Sequence, residues 1–307
     1  MFSIIIPTYN ASKHLPSLLK SLEVQTVKDY ELSIIDSSST DNTTEIADSY
    51  KAHVIKINKN EFDHGGTRNL AAKQAKGEII IFLSQDSLFF DENSIENIAE
   101  PLYTDKNIAA VFGRQLPDKD ASVFAEHLRL FNYPENSYIS ELADKEKHGI
   151  RTAFFSNSFS AYRKAALEEI GFFKKGLIFG EDMFAAAKLL LNNKKIAYTS
   201  SAKVYHSHNY TISQDLRRYF DMGVFHRNEN WLLREFGKAE GHGLKFIKSE
   251  FTFIKKKKGL YLLPEFILRI CAKYLGYQLG RHYVCLPYSL NKIFSLNRSW
   301  WEQRKIS

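Results

Sequence analysis

The alternation of short β-rich runs with helical segments over residues 3–112 most constrains the fold of this chain. Helical spacing or capping residues predict helices at 12–25, Thr40–Tyr50 and Thr67–Ala75. The β-rich runs predict five strands, at Ser3–Ile6, Tyr30–Ile35, His53–Ile57, Ile79–Leu83 and Ile108–Phe112. Strands that alternate with helices form parallel βαβ units, so we expect an α/β protein with a sheet of the nucleotide-binding type.

Polar and acidic residues follow three of these strands directly. The sequences are PTYN at 7–10, DSSSTD at 36–41 and SQD at 84–86. Each turn alone is explained as a cap for the next helix. Because ligands bind beyond the carboxyl ends of such strands, three polar ends together favour a binding site. Asp86 is the clearest case, since no strong amphipathic helix comes directly after it.

Length and composition exclude several classes of protein. The chain has 307 residues, which suits one large or two unequal domains, and its two cysteines form no CxxC motif. No apolar run reaches the roughly eighteen residues of a spanning helix, and the first residues lack the pattern of a signal peptide. We therefore expect a cytoplasmic protein without a zinc or disulfide framework.

Positive charge is concentrated in the last third of the chain. Residues 212–307 carry 18 Lys/Arg against 8 Asp/Glu, whereas residues 1–211 carry 24 against 27. We place a domain boundary there, with a mostly helical, basic module at 212–307. Such asymmetry indicates an anionic partner: a membrane surface, a phosphorylated substrate or nucleic acid. Nucleic acid is disfavoured because no recognised nucleic-acid-binding motif accompanies the charge.

One predicted helix in this module, within PEFILRICAKYLGYQLG at 264–280, is amphipathic. Glu265, Arg269 and Lys273 share one stripe, and the run Lys255–Lys258 precedes the helix. Apolar residues fill the other side, namely Phe266, Ile267, Ile270, Cys271, Tyr274 and Leu275. The pattern fits a protein lying on an anionic leaflet at the inner face of the plasma membrane. A helix packed on the preceding domain would show the same pattern, so both interpretations stay open.

Several motifs resemble a known enzyme family. SIIIPTYN, SSSTDNT, SQD and GEDMFAAAKLL resemble family-2 glycosyltransferases of the GT-A fold. DHGGTRNLA, FLSQDS, AAVFGRQLP, RLFNYP, FFSNSFSAYRKAAL and VYHSHNYT are similar to the bacterial rhamnosyltransferase branch of that family. The resemblance covers about residues 2–225. It implies a GT-A catalytic domain at 1–211 with a mixed, mainly parallel central sheet, which takes a nucleotide-diphosphate sugar.

The resemblance gives Asp86 a chemical role. The departing diphosphate of a nucleotide sugar develops negative charge, which a divalent cation, Mg²⁺ or Mn²⁺, neutralises. The family usually holds this metal with Asp-x-Asp, and SQD keeps only the last carboxylate, so a further ligand is needed. His206 and His208 are two residues apart and would share one face of a strand. They are candidate metal ligands, with a half-exposed polar pair as the alternative.

Glu181 and Asp182 stand at the start of a predicted helix. The helix dipole stabilises ionised carboxylates at this end, and capping would explain one of them. A general base must likewise be deprotonated when it acts. The resemblance implies that Asp182 is the base of an inverting transfer, and that Glu181 orients it or touches the acceptor.

The resemblance also assigns two further groups of residues. Asp36 would accept the N3–H of a uracil or thymine ring, although a turn-capping role competes, and Tyr133 would supply an aromatic platform for a sugar. The nucleotide-sugar group is Pro7, Thr8, Tyr9, Asn10, Asp36, Ser39, His64, Gly65, Arg68, Gln85, Arg114 and Gln115. The acceptor group is Arg129, Asn132, Tyr133 and Asn157.

Together these features predict a metal-dependent inverting glycosyltransferase. The resemblance implies dTDP-L-rhamnose as donor and a growing bacterial surface glycan of the O-antigen type, lipid-linked, as acceptor. A UDP-hexose donor and a non-catalytic glycan-binding relative are the alternatives. An NAD-binding oxidoreductase is disfavoured, because PTYN stands where a GxGxxG motif would follow the first strand.

Overall fold

The computed structural model describes residues 1–238 and 241–306. It contains one sheet of nine strands, and all five predicted strands are present within a few residues of their expected bounds. The strands are β1 Phe2–Thr8, β2 Tyr30–Asp36, β3 His53–Lys56, β4 Ile79–Leu83, β5 Leu88–Phe89, β6 Ile108–Leu116, β7 Tyr138–Ser140, β8 Phe159–Arg163 and β9 Lys195–Tyr205.

Helices connect these strands and then continue alone to the end of the described chain. Those of the first 211 residues are α1 Leu15–Glu23, α2 Thr43–Ser49, α3 His64–Gln74, α4 Ser94–Thr104, α5 Val123–Asn132, α6 Lys145–His148, α7 Lys164–Glu169 and α8 Glu181–Leu191. The later ones are α9 Ile212–Asn228, α10 Asn230–Phe236, α11 His242–Lys256, α12 Leu263–Arg281, α13 Tyr288–Phe294 and α14 Arg298–Ile306. The prediction of a helical C-terminal region is confirmed.

The sheet is mixed and mostly parallel. Its order is β3-β2-β1-β4-β8-β6-β9-β5, with β7 on the far side of β9. The pairs among β1 to β4 are parallel, as is β6 with β9. β8 runs antiparallel between β4 and β6. The parallel half therefore brings the ends of β1, β2 and β4 to one edge, as the sequence predicted.

Strand β4 is buried on both faces. Ile80 and Phe82 belong to one hydrophobic cluster, whereas Ile79, Ile81 and Leu83 belong to the cluster on the opposite face. This explains the uninterrupted apolar run, because neither face of the strand meets water. Polar chemistry can begin only where the strand ends.

The start of α3 differs from the prediction. The helix begins at His64, three residues before the expected Thr67, because the Asp63 side chain caps it by accepting the Gly66 N–H. Gly65 and Gly66 therefore lie in the first helical turn. A Cβ on Gly65 would overlap the carbonyl oxygen of Lys174, so this glycine permits close packing.

The basic module at 212–307 shares the main hydrophobic core. Phe220, Phe225, Trp300 and Trp301 belong to the cluster that also contains Phe82 of β4. Both tryptophans are about 5% exposed, so they are core residues. The boundary after residue 211 therefore marks a change in composition, while the packing continues across it.

Helix α12 packs on α9 with a face that differs from the prediction. Arg269 is buried and forms ion pairs with Asp215 of α9 at 2.5 Å and with Glu265 at 2.6 Å. The charged stripe is thus the packed side, because partners on two helices neutralise the guanidinium. Most of the predicted apolar stripe faces outwards, including Ile267, Tyr274 and Leu275. Among the helices of the described residues, none is long and apolar enough to cross a membrane.

Glycines set the separation of α9 and α12. Added Cβ atoms on Gly276 and Gly280 would overlap the carbonyl oxygens of Leu216 and Phe220. A Cβ on Gly223 of α9 would in turn overlap the carbonyl oxygen of Tyr277. The two backbones therefore touch directly, and side chains larger than hydrogen would force them apart.

We predict that Gly280→Ala lowers the free energy of unfolding by about 1–3 kcal/mol, because the methyl group overpacks this contact. Urea or thermal unfolding measures the change. Gly243→Ala is the matched control, since nothing lies within 4 Å of its added Cβ. Alanine there should be neutral or stabilise the helix by up to about 1 kcal/mol. Equal effects of the two substitutions would contradict close packing at Gly280.

Candidate active site

A cavity of about 280 Å³ lies where the ends of β4, β6 and β9 meet the first turns of α3 and α8. It gathers eleven of the residues predicted from the sequence. They are His64, Arg68, Asp86, Gln115, Arg129, Tyr133, Asn157, Glu181, Asp182, His206 and His208. The candidate metal ligands and the candidate base therefore line one space.

Asp86, His206 and His208 form a compact cluster. One Asp86 oxygen is 3.3 Å from Nε2 of His206, and the other is 3.8 Å from Nδ1 of His208. One ligand atom from each residue lies within 4.8 Å of the others. Both histidines lie after the last residue of β9 and not on a strand face as the sequence predicted, but both approach the Asp86 carboxylate.

Gln115 orients the His206 ring through the nitrogen that does not face Asp86. Its Oε1 is 2.9 Å from Nδ1 of His206, and its Nε2 donates to Oγ of Ser156 at 2.8 Å. With a metal ion on Nε2, the ring proton would lie on Nδ1 and donate to Gln115. Metal-bound histidines usually have such a second partner, which fixes the ring. Gln115, predicted to bind the nucleotide sugar, thus supports a candidate metal ligand.

The electrostatics of the cluster also fit a divalent cation. Burial lowers the pKa of His208 to about 4, so its imidazole is neutral at physiological pH. Burial would raise the pKa of Asp86, but the hydrogen bond and charge of His206 outweigh it and lower the value to about 2. The Asp86 carboxylate and the imidazoles of His206 and His208 supply oxygen and nitrogen ligands, and Mn²⁺ accepts both.

Glu181 and Asp182 occupy the first turn of α8. Arg68 reaches the Glu181 carboxylate at 3.1 Å, and both side chains are buried. Burial opposes ionisation of Glu181, but Arg68 and His64 outweigh it and lower the pKa. Burial and the adjacent Glu181 charge raise the pKa of Asp182 to about 7. A carboxylate with this pKa can accept a proton near neutral pH.

Asn157 positions both carboxylates. Its side-chain amide donates to Glu181 at 3.4 Å, and its backbone N–H donates to Asp182 at 3.2 Å. Its own carbonyl oxygen accepts from Ser160 and Tyr162 at 3.0 and 2.9 Å. Asn157 is only 2% exposed, so it is a positioning residue and not an open acceptor contact.

A second group of predicted residues lies at the ends of β1 and β2, beside the cavity. Gln85 exchanges hydrogen bonds with the backbone of Tyr9, and its neighbour Asp86 belongs to the metal cluster. Ser39 accepts a hydrogen bond from the Asn10 N–H at 2.8 Å. Asp36, which is 2% exposed, accepts hydrogen bonds from Thr8 and Ser39. Its carboxylate therefore organises the turn, and its contact with a base stays a prediction.

The backbone at this second group is strained. Asn10 and Ser38 have φ values of 47° and 61°, in the left-handed region that non-glycine residues rarely occupy. Hydrogen bonds hold both residues, since the Asn10 side chain accepts from the Thr40 N–H and Ser38 donates to the carbonyl of Ile57. Strain that the surroundings maintain is typical of ligand-binding turns.

Other predicted residues do not line the cavity openly. Tyr133 is 4% exposed, with its ring packed against Phe112 and Tyr198, so it is not an open platform for a sugar. Asn132 lines a separate cavity of about 270 Å³ and accepts from Arg151 at 3.4 Å. Pro7, Gly65 and Arg114 also lie outside the cavity lining, and Arg114 is 3.5 Å from Glu135.

The sequence analysis missed Tyr210 and Arg218, which line the cavity. Arg218 stacks on Phe179 and Tyr210, with its guanidinium carbon 5.1 and 5.6 Å from the ring centroids. Within residues 1–238 and 241–306, neither Arg218 nor Arg129 pairs with a carboxylate. Arg129 also has a buried Nε without a hydrogen-bond partner. No local motif marks Arg218, because α9 only reaches the cavity through the fold.

Comparison with known sequences identifies relatives over the whole chain. Residues 3–171 match the profile of Glycosyl transferase family 2. The O-antigen chain rhamnosyltransferase RfbN of Salmonella typhimurium is 45% identical, over 99% of this chain and 97% of the relative. The O-antigen chain rhamnosyltransferase WbaN of Salmonella anatum is 44% identical, over 100% of this chain and 97% of the relative.

Solved structures show the same fold. TarS 1–349 of S. aureus, in complex with UDP-GlcNAc, aligns with a TM-score of 0.55 and 20% identity over 92% of this chain and 91% of that chain. The mannosyltransferase PcManGT of Pyrobaculum calidifontis, in complex with GDP-Man and Mn²⁺, aligns with a TM-score of 0.60 and 16% identity. This alignment covers 99% of this chain and 86% of that chain. At such identities the likeness concerns the fold, and it confirms the predicted GT-A architecture.

We predict that Mn²⁺ raises the melting temperature of the protein and that Asp86→Ala removes this shift. A ligand at a hundred times its Kd stabilises the folded state by about 2.7 kcal/mol, and losing the carboxylate should abolish most of that gain. Gln115→Leu should weaken Mn²⁺ binding by about 10–100-fold, because the His206 ring loses its partner. Differential scanning fluorimetry with a Mn²⁺ titration measures both effects.

The exposed Asp48 provides the control, because Asp48→Ala removes a carboxylate far from the cluster in sequence. An unchanged Mn²⁺ response in Asp86→Ala would show that the cluster is not the metal site.

Proposed function

The chain belongs to glycosyl transferase family 2, and from this premise we propose that it transfers L-rhamnose from dTDP-L-rhamnose to a bacterial surface glycan. The observation that carries the proposal is the 45% identity to RfbN across 99% of the chain. The cavity adds support, since a candidate base and a nitrogen–oxygen metal cluster line it together. The family is an inverting one, so a single displacement at the anomeric carbon is proposed.

The nucleotide is proposed to bind across the ends of β1 and β2. Tyr9 is 38% exposed, and its hydroxyl accepts from Lys59 at 2.6 Å, so its ring is held at the surface beside the turn. The strained turn residues Asn10 and Ser38 border the same edge. A base and ribose placed there would direct the diphosphate towards Asp86, since Gln85 joins Tyr9 to that residue.

The diphosphate needs positive charge around it. A divalent cation bound by Asp86, His206 and His208 would neutralise the leaving diphosphate. Arg129 and Arg218 provide two further cations in the same cavity, without carboxylate partners in the described chain. We propose that at least Arg218 binds a phosphate oxygen of the donor, because a planar guanidinium donates two parallel hydrogen bonds.

Asp182 is proposed to accept the acceptor proton. The acceptor hydroxyl oxygen forms a bond to the anomeric carbon while its proton passes to Asp182. The bond from that carbon to the phosphate oxygen breaks, and the electron pair leaves with the nucleoside diphosphate. Glu181, held ionised by Arg68, is proposed to keep Asp182 basic by charge repulsion.

Two alternatives make different predictions. A UDP-hexose would suit the same turn, because uracil presents the same N3–H as thymine. A non-catalytic glycan-binding relative would need neither a base nor a metal cluster, and both sets of residues are assembled here. The lipid-linked form of the acceptor rests on the resemblance to O-antigen enzymes.

Donor binding and turnover separate these possibilities. The protein is titrated with dTDP-L-rhamnose, dTDP, UDP-glucose and UDP, with and without Mn²⁺, and donor hydrolysis by water is followed by release of the nucleoside diphosphate. Stronger stabilisation by UDP than by dTDP would favour the UDP-hexose alternative. Absence of binding and hydrolysis with every nucleotide would favour the glycan-binding relative.

We predict that Asp182→Asn lowers the rate of rhamnosyl transfer by roughly 10²–10⁴, because the amide cannot accept the proton. The amide keeps the size of the side chain, so donor affinity should change little. Initial rates with saturating donor and calorimetric donor binding measure the two effects. Asp48→Asn is the control, and normal turnover by Asp182→Asn would reduce this residue to a structural role.

The raised pKa of Asp182 predicts a pH dependence. Below about 7 the base is protonated, so log kcat/KM should rise with unit slope and then level off above that value. The stability of the folded state changes with pH in the opposite direction to kcat/KM. The folded protein retains a proton that an unfolded Asp releases near pH 4, so stability falls as pH rises from about 4 to about 7.

Asp182→Asn removes that loss of stability. Its melting temperature relative to the wild type should therefore be higher at pH 8 than at pH 4. A pH-independent difference would contradict the raised pKa.

We predict that Arg218→Ala weakens dTDP binding by roughly tenfold to a hundredfold, as expected for a lost charge-assisted contact. Isothermal titration in Mn²⁺ measures the affinity without an acceptor. Arg217→Ala is the matched control, because the adjacent Arg217 does not line the cavity. Unchanged dTDP affinity would place Arg218 on the acceptor side of the reaction.

A further inference from the structure

The outer side of α12 is an apolar ridge. Its residues recur every three or four positions, so they share one face of the helix. They are Pro264, Ile267, Leu268, Cys271, Tyr274 and Leu275, which we call the α12 ridge, and all are exposed. Ile267, Leu268, Tyr274 and Leu275 are each more than half exposed, at 57%, 56%, 67% and 51%. A helix that faces water would carry polar residues at these positions.

The ridge continues into the turn before α12. Leu260 and Tyr261 are 52% and 79% exposed, and only Gly259 separates them from the run Lys255–Lys258. Exposed large apolar side chains therefore recur from 260 to 275, between buried residues such as Phe266. A concentration of exposed apolar side chains of this kind marks an interaction site and not ordinary scattered exposure.

Nearly all charged residues around the ridge are basic. Segment 255–297 contains eight Lys/Arg and a single acidic residue, Glu265. Glu265 pairs with the buried Arg269, so it presents little free negative charge. Lys255, Lys256 and Lys258 are exposed at one end of the ridge, while Lys257 pairs with Glu126 at 2.8 Å. An occupant of this surface should be apolar at its centre and negatively charged at its edge.

We propose that the α12 ridge rests on an anionic lipid leaflet, with its apolar side chains among the acyl chains and Lys255–Lys258 at the headgroups. Tyr261 and Tyr274 suit such an interface, since each ring is apolar and each hydroxyl stays at the polar boundary. A second copy of this chain is a poorer occupant, because it would bring the same positive segment against its own. Acidic lipid headgroups neutralise that charge.

The packing of α12 would connect this surface to the cavity. Gly276 and Gly280 place α12 in backbone contact with α9, and α9 carries Arg218 into the cavity. The proposed lipid surface is therefore one helix away from the candidate active site. The inference does not depend on the donor or acceptor, since it concerns only the exposed face of α12.

Vesicle co-sedimentation of the full chain tests the proposal without any substrate. The vesicles contain phosphatidylcholine alone or with phosphatidylglycerol, at low and high salt. The ridge variant combines Ile267→Gln, Leu268→Gln and Leu275→Gln. Its matched control is Tyr103→Gln, which removes an apolar side chain that is 66% exposed on α4.

A lysine variant separates charge from apolar insertion. It combines Lys255→Gln, Lys256→Gln and Lys258→Gln and spares Lys257, which pairs with Glu126. Its control combines Lys20→Gln, Lys106→Gln and Lys147→Gln, three exposed lysines of the first 211 residues. Thermal unfolding and donor hydrolysis by water should stay at wild-type values in the ridge and lysine variants.

We expect the wild type to bind phosphatidylglycerol vesicles at low salt at least tenfold more tightly than neutral vesicles. High salt should reduce this preference, because the Debye length shortens to about 8 Å at physiological ionic strength. The ridge variant should lose binding to both kinds of vesicle, and the lysine variant should lose only the preference for anionic lipid. The two controls should bind like the wild type.

Absence of wild-type binding to anionic vesicles at low salt would overturn the proposal. Equal loss of binding in the lysine control would overturn it as well, because general charge would then explain the affinity. A wild-type dimer in analytical ultracentrifugation that the ridge variant dissociates, without vesicle binding, would assign the ridge to a second copy. None of these results would bear on the donor-binding experiments above.

Discussion

The buried ion pair between Arg68 and Glu181 organises the catalytic end of this molecule. It joins the first turn of α3 to the first turn of α8 across the end of the sheet. Removing one partner of such a pair leaves an uncompensated buried charge, which typically costs about 3–5 kcal/mol. The pair also keeps Glu181 ionised, and that charge in turn opposes ionisation of Asp182. One contact thus links the packing of two helices to the protonation state of the candidate base.

The candidate metal ligands and the candidate base are held in place by neighbouring residues. Gln115 orients His206, while Asn157 is bonded to both carboxylates of α8. Gln115 lies on β6 and Asn157 lies two residues before β8, and these two strands are neighbours in the sheet. Gln115 also donates to Ser156, the residue next to Asn157. One pair of strands therefore supports both groups, and fixed positions are what such chemistry needs.

The C-terminal module completes the fold of the first 211 residues. Phe220 and Trp301 lie in the same hydrophobic cluster as the sheet, and α9 delivers Arg218 to the cavity. Glycines rather than large side chains join α9 to α12, so the second helix lies close while its apolar outer face remains free. The module therefore has two surfaces, one that packs in the core with the sheet and one apolar face that is exposed.

The sequence alone determined the five strands β1 to β4 and β6 and the polar strand ends, because apolar periodicity and strand-end chemistry are written in consecutive residues. The grouping of Asp86, Asp182 and the two histidines in one site was implied by the resemblance to the family and not by these local rules. The short β5 and β7 and the strand β8 escaped prediction, and β9 was expected only as the strand associated with His206 and His208, since the pairing of these strands depends on distant partners.

Only the tertiary structure decided the roles of residues whose meaning depends on a partner. Tyr133 is packed in the core, Asn157 is bonded to both carboxylates of α8, and Arg218 lines the cavity. Burial and contacts between separate elements of the chain define these positions. Which face of α12 packs against the rest of the protein was also decided by the tertiary structure. Its periodicity showed two faces, but the pairing of Arg269 with Asp215 determined that the charged face is packed and the apolar face exposed.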